Sequence, residues 1–186
     1  MRIATKKRAW VFVIVYVLFI YSTLYVMRDI LNFLKTGLGK GFDASVYGIF
    51  GLFFFGGFGF LLRSSQGAAW VQIKRVAWYI VFFVMIGIIA IHLKIPEERI
   101  HLVEYGLLSF LVYGALRFDF SGFTLFVLTC VIVSGFGFLD EVIQGILPNR
   151  YFGWRDVLLN ALGGLMGVGL IAFVFSRQEL YNHRER

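Results

Sequence analysis

Long apolar runs separated by short polar clusters set the pattern of this chain: 9–27, 46–62, 76–93, 101–116, 122–139 and 157–175. Most approach the ~20 residues that an α-helix needs to cross a bilayer. The shorter ones can recruit flanking residues. None alternates polar and apolar positions with period two, as a barrel strand would. Helices then satisfy the backbone within each run. The pattern predicts an all-α fold, a polytopic transmembrane helix bundle of about six helices. The fourth run is the shortest, and the fifth continues through Gln144 toward Pro148.

The polar connections set the expected orientation. With the N-terminus inside, the inner segments carry eleven lysines and arginines and the outer ones seven. Basic residues favour the cytoplasmic side, so both termini are expected there. Residues 1–8 carry four basic side chains ahead of the first run, which resembles the opening of a signal peptide. The run that follows is longer than a signal core of ~7–15 residues and no small-residue cleavage site follows it, so it reads as a retained helix. Residues 29–45 mix glycine, charge and leucine, and fit either an amphipathic segment on the outer surface or a glycine-rich loop.

Composition agrees with a membrane protein: 59% of the residues are hydrophobic and only 16% charged. A soluble domain is about a quarter charged. The net charge of +7 would suggest nucleic acid in a soluble protein. Here the basic residues flank apolar runs, and topology explains them, so no nucleic acid is expected. Cys130 is the single cysteine, which excludes an internal disulfide; a small packing residue is the plain reading. The glycines of the second run (Gly48, Gly51, Gly56, Gly57, Gly59) and the Gly163-x-x-x-Gly167 step suit close helix packing in lipid.

Three stretches interrupt the apolar pattern with ionisable groups. His101, Glu104 and Tyr105 share one face at the start of the fourth helix. Asp140 and Glu141 stand near the end of the fifth, with Gln144 one turn beyond Asp140, followed by Pro148, Asn149 and Arg150. Asp156, suited to a helix start, and Asn160 open the sixth. If these three helices all span, the fourth starts, the fifth ends and the sixth starts at one membrane face. His101, Glu104, Tyr105, Asp140, Glu141, Gln144, Arg150, Asp156 and Asn160 are therefore candidate ligand-binding residues. Intramembrane acids cost about 2.5–3.5 kcal/mol each on insertion scales, so several together imply partners or a wet cavity. Arg150 and Arg155 can neutralise some of Asp140, Glu141 and Asp156, which makes a structural ion-pair cluster the competing reading.

The chemistry stays open between three classes. Arg150, Arg155 and His101 suit a phosphate or carboxylate at a lipid headgroup. His101, Asp140 and Glu141 are candidate catalytic acids and bases for work on a lipid phosphate. His101, Glu104, Asp140 and Glu141 are candidate ligands for a divalent metal, though their spacing matches no established metal signature. No serine or cysteine nucleophile stands in the cluster; Ser109 and Ser134 read as packing hydroxyls. His92, at the end of the third helix, is a further candidate or an interfacial histidine. A transporter or flippase is the third class, which the grouping of polar residues at one end rather than the midplane disfavours.

The motifs His101-x-x-x-Tyr105, Asp140-Glu141-x-x-Gln144-x-x-x-Pro148-x-Arg150 and Asp156-x-x-x-Asn160-x-x-Gly163-x-x-x-Gly167 together resemble the VanZ-like family of bacterial membrane proteins. The family's acidic and basic residues ahead of the histidine are Glu97 and Glu98 here, with Arg99 shifted by one, and its aromatic after the histidine is Leu102. The resemblance implies a multi-pass protein of the bacterial cytoplasmic membrane acting in the cell envelope. It also implies a link to susceptibility to the glycopeptide teicoplanin. The expected organisation is a two-helix membrane segment over 1–75, a VanZ-like four-helix core over 76–176 and a polar cytoplasmic tail over 177–186. The expected partners are the bilayer and an anionic lipid or lipid-linked envelope component.

Overall fold

The computed structural model describes residues 5–39, 41–63, 69–93, 95–148 and 150–175; the polar tail with His183 and the site neighbour Asn149 lie outside them. The described residues form six α-helices and no strand: α1 (Lys6–Leu38), α2 (Gly41–Arg63), α3 (Ala69–His92), α4 (Pro96–Leu116), α5 (Gly122–Ile146) and α6 (Trp154–Leu170). A π-helical segment, Ile171–Phe175, continues α6. All except α4 are long and apolar enough to cross a membrane, α6 together with its π extension. By its 21 residues α4 can also span, but Glu97, Glu98, Arg99 and Glu104 crowd its first turns and dilute its hydropathy.

The outward surface is that of a membrane protein. Leu52 is 75% exposed, Phe55 71% and Phe123 83%, while Asp140, Glu141 and Asn160 are fully buried. Apolar groups outside and polar groups inside are what hydrocarbon as solvent demands.

Two compact units divide the chain. The first combines Met1–Arg28 with Glu97–Gly169. Its core takes Val13 and Val17 from α1, Tyr105, Leu108, Val112 and Ala115 from α4, and Leu125 and Val133 from α5. Small residues bring α6 against this core. A Cβ on Gly163 would stand 2.9 Å from the Leu102 carbonyl oxygen, one on Gly164 would stand 2.6 Å from Val133, and one on Gly167 would run into Ser109 and the Gly106 carbonyl. The Gly163-x-x-x-Gly167 step thus seats α6 on the backbone of α4, the close approach that small residues permit in lipid. Lys6 Nζ pairs with Asp119 at 2.7 Å and marks one end of the unit, where α4 turns into α5 through Gly122 at φ +60°. Only glycine takes that left-handed backbone without strain. The start of α4, the end of α5 and the start of α6 meet at the other end.

The second unit combines Asp29–Pro96 with the chain from Leu170 onward. Leu61, Tyr79 and Val174 are its buried centre, flanked by Phe54, Phe58 and Phe83. The Tyr79 hydroxyl donates to the Phe54 carbonyl at 2.7 Å, and a Cβ on Gly57 would meet that hydroxyl at 2.5 Å. Of the five glycines expected to pack in α2, only Gly57 has a neighbour this close; Gly48, Gly51, Gly56 and Gly59 have nothing within 4 Å of a Cβ. Arg75, 2% exposed, donates from Nε to the Val174 carbonyl at 2.7 Å. That carbonyl lies in the π-helical turns, where the widened ladder leaves backbone groups in need of other partners.

Residues 29–38 are helical and do not form a glycine-rich loop. They continue α1 to 33 residues, about 50 Å at 1.5 Å per residue, well beyond the ~30 Å hydrocarbon core. The helix stops at Gly39, whose φ of +52° suits a helix end that only glycine fills cheaply.

Candidate functional site

The polar cluster of the first unit is built from one turn of α4, the last turns of α5 and the loop leading to α6. His101, Asp140 and Glu141 each offer a ligand atom, and these atoms lie within 4.8 Å of one another. His101 is 5% exposed, and both acids are fully buried. His101 Nδ1 stands 3.6 Å from Glu104 Oε2 and 3.8 Å from Asp140 Oδ2, close enough for charge attraction and too far for a hydrogen bond. The helical spacing of His101, Glu104 and Tyr105 accounts for the convergence, since all three leave one face of α4.

Each acid is held by neighbours. The Tyr105 hydroxyl donates to Asp140 Oδ2 at 2.9 Å. Gln144 Nε2 donates to Glu141 Oε1 at 2.8 Å, and the Gly153 backbone N–H donates to Glu141 Oε2 at 3.2 Å. Arg150 donates from Nε to Gln144 Oε1 at 2.9 Å, and its Nη2 binds the same oxygen. Four buried side-chain atoms have no hydrogen-bond partner among the described residues: His101 Nδ1, Asp140 Oδ1, Arg150 Nη1 and Asn160 Oδ1. Leaving such groups unpaired costs about 1–3 kcal/mol each, so the cluster is short of partners.

The arginines do not neutralise the acids in the way that a structural ion-pair cluster would need. Arg155 pairs with Glu98 at 3.1 Å. Arg150 spends two nitrogens on Gln144. Among the described residues no ion pair joins either arginine to Asp140, Glu141 or Asp156. Among the described residues, the imidazole of His101 is the basic group that comes within 4 Å of the Glu104 and Asp140 carboxylates.

The remaining candidates divide. Asp156 lies in the first turn of α6, and a Cβ on Gly153 would stand 3.0 Å from its Oδ2 and 3.8 Å from Glu141 Oε2, so it borders the cluster. Asn160 donates from Nδ2 to the Gly137 carbonyl at 3.1 Å and fastens α6 to α5. Ser109 returns its hydroxyl to the Gly106 carbonyl at 2.6 Å, as a packing residue does. His92 is exposed, and its Nδ1 lies 2.7 Å from the Ile88 carbonyl of its own helix. 

Sequence patterning missed the contribution of α1. Tyr16 donates to the Glu104 carbonyl at 3.3 Å and Tyr21 to the Phe136 carbonyl at 2.8 Å, flanking the cluster from a third helix. Thr23, Leu24 and Met27 of α1 line a narrow cleft with His101, Glu104 and Arg150. Nothing in α1 marks it beforehand, because tyrosines in a membrane helix also serve as interface anchors.

Comparison with protein-family models, curated proteins and solved structures finds no match to this chain.

Proposed function

We propose that the chain is a VanZ-like integral membrane protein of the bacterial cytoplasmic membrane, with both termini in the cytoplasm. Its polar cluster binds the headgroup of an anionic lipid or a lipid-linked envelope component at the extracytoplasmic face. The observation that carries this reading is Arg150. Its Nη1 is buried without a partner, its other nitrogens are fixed by Gln144, and the residue lines the cleft beside His101. A guanidinium held in place by a neutral amide keeps its charge for an incoming anion and offers planar donors to a phosphate or carboxylate. The apolar wall from Leu24 and Met27 suits the start of an acyl or prenyl chain. The three motifs that resemble the family all contribute to the cluster or border it.

Native mass spectrometry of the detergent-extracted protein tests this. A phospholipid or lipid-linked anion should copurify with the wild type and be lost from Arg150→Ala. If no anionic lipid copurifies, or if the variant retains it undiminished, the reading fails.

A second reading places phosphate hydrolysis or transfer at the same cluster, and the approach of His101, Asp140 and Glu141 to within 4.8 Å favours it. A buried imidazole beside carboxylates can move protons to and from a phosphate ester. Purified protein would then release phosphate from a lipid phosphate, and Glu141→Gln would abolish the release.

A further inference from the structure

We propose that His101, Asp140 and Glu141 form a binding site for one divalent cation of the zinc or manganese class. The site rests on these three residues and not on lipid binding, so loss of lipid from Arg150→Ala leaves it standing.

Geometry comes first. A metal holding nitrogen and oxygen ligands at about 2.0–2.2 Å in a tetrahedron sets them roughly 3.3–3.6 Å apart. The three ligand atoms lie within 4.8 Å, and His101 Nδ1 is already 3.8 Å from Asp140 Oδ2. Contraction by about an ångström, within reach of small side-chain rotations, closes them on an ion. The unpaired atoms agree. His101 Nδ1 and Asp140 Oδ1 are buried with no hydrogen-bond partner, and a nitrogen lone pair and a carboxylate oxygen are what a cation takes.

Charge is the second argument. Two fully buried carboxylates face one imidazole, and among the described residues neither Arg150 nor Arg155 forms an ion pair with Asp140 or Glu141. Burying charge without compensation is expensive, and a doubly positive ion matches two carboxylates. A mixed nitrogen and oxygen donor set favours zinc, manganese or iron over magnesium or calcium, which prefer oxygen alone.

The surroundings orient the ligands as outer partners do in metal centres. Tyr105 fixes Asp140 Oδ2, while Gln144 and the Gly153 N–H fix Glu141. Each carboxylate oxygen so engaged keeps a lone pair for metal. Three protein ligands leave a coordination position for water or an anion; Glu104 approaches His101 Nδ1 at 3.6 Å but is not among the side chains whose ligand atoms converge within 4.8 Å.

The full-length protein in detergent, stripped with a chelator and desalted, is equilibrated with Zn2+ or Mn2+ alone, and the retained metal is measured per chain. The expected result is about one ion per chain, bound at least tenfold more weakly by His101→Gln and Asp140→Asn. A His183→Ala variant removes tail binding as background. Because the buried substitutions can impair folding, the wild type is also titrated with Co2+. A tetrahedral visible spectrum, bleached by added Zn2+, supports the site without any variant. Metal no higher than in the stripped blank overturns the proposal, as does a Co2+ spectrum unchanged from the aquo ion. So does undiminished binding in variants that elute and melt as the wild type does.

Discussion

Tyr105 donates its hydroxyl to Asp140 Oδ2 at 2.9 Å, and both side chains are completely buried. The bond joins α4 to α5 where the polar cluster begins. Tyr105→Phe keeps the ring and removes the hydroxyl donor to this carboxylate oxygen. A loss of about 1–3 kcal/mol follows from an unsatisfied buried acceptor. Thermal unfolding in detergent should register it as a lowered midpoint. An unchanged midpoint would mean that Asp140 draws its stability from elsewhere.

Helix contact gives a sharper contrast. Gly167→Ala pushes a methyl into Ser109 and the Gly106 carbonyl, and backbone cannot swing aside as a side chain can. Overpacking of this kind costs about 1–3 kcal/mol and sometimes more. Gly56→Ala, with nothing within 4 Å, should stay within about 1 kcal/mol of the wild type. Equal melting of the two variants would contradict the α4–α6 contact.

Arg75 anchors the π-helical segment through the Val174 carbonyl. Arg75→Met retains much of the apolar stem and removes this donor. The expected destabilisation is about 1–3 kcal/mol, the cost of a buried acceptor left unpaired. Hydrogen exchange at the backbone amides of Ile171–Phe175 should rise in the variant; protection equal to the wild type would refute the anchoring role.

Two of the ion pairs in the first unit should behave differently. Lys6 and Asp119 are both well exposed, with side chains 54% and 37% accessible, and Lys6→Ala should change stability by less than about 1 kcal/mol. Glu98 is only 4% accessible while its partner Arg155 is 65% accessible. Arg155→Ala withdraws this partner from a buried carboxylate and should cost more than Lys6→Ala, about 1–2 kcal/mol after allowance for solvent at the arginine. A smaller effect for Arg155→Ala than for Lys6→Ala would reverse this ranking.

Much of the fold was legible because hydrocarbon imposes simple demands. Apolar runs near spanning length mark α1 to α3, α5 and α6, since any unpaired backbone in lipid is costly. The polar residues of α4 and α5 could be brought together on paper because helical spacing and alternating direction leave little freedom. Other features depend on choices that a one-dimensional pattern does not encode. Residues 29–38 carry charge and glycine like a connection, yet they extend α1. Arg150 looks like a counter-ion for Asp140 or Glu141, and only the course of the chain past Pro148 directs it to Gln144 instead. The pairing of Arg155 with Glu98 spans 57 positions and has no local signature. Tyr16 and Tyr21 reach the cluster because α1 packs in the first unit, which their spacing alone does not announce.

Gly163 sets its Cα against the peptide linking His101 to Leu102, with a notional Cβ only 3.3 Å from the His101 carbonyl oxygen. The imidazole is therefore mounted on α4 main chain packed against α6 rather than on a swinging loop. A guest arriving there meets a receptor already in shape and forfeits little conformational freedom to assemble it. Residence time at the cluster should accordingly be governed by how the guest escapes, more than by how the receptor reshapes itself to admit it.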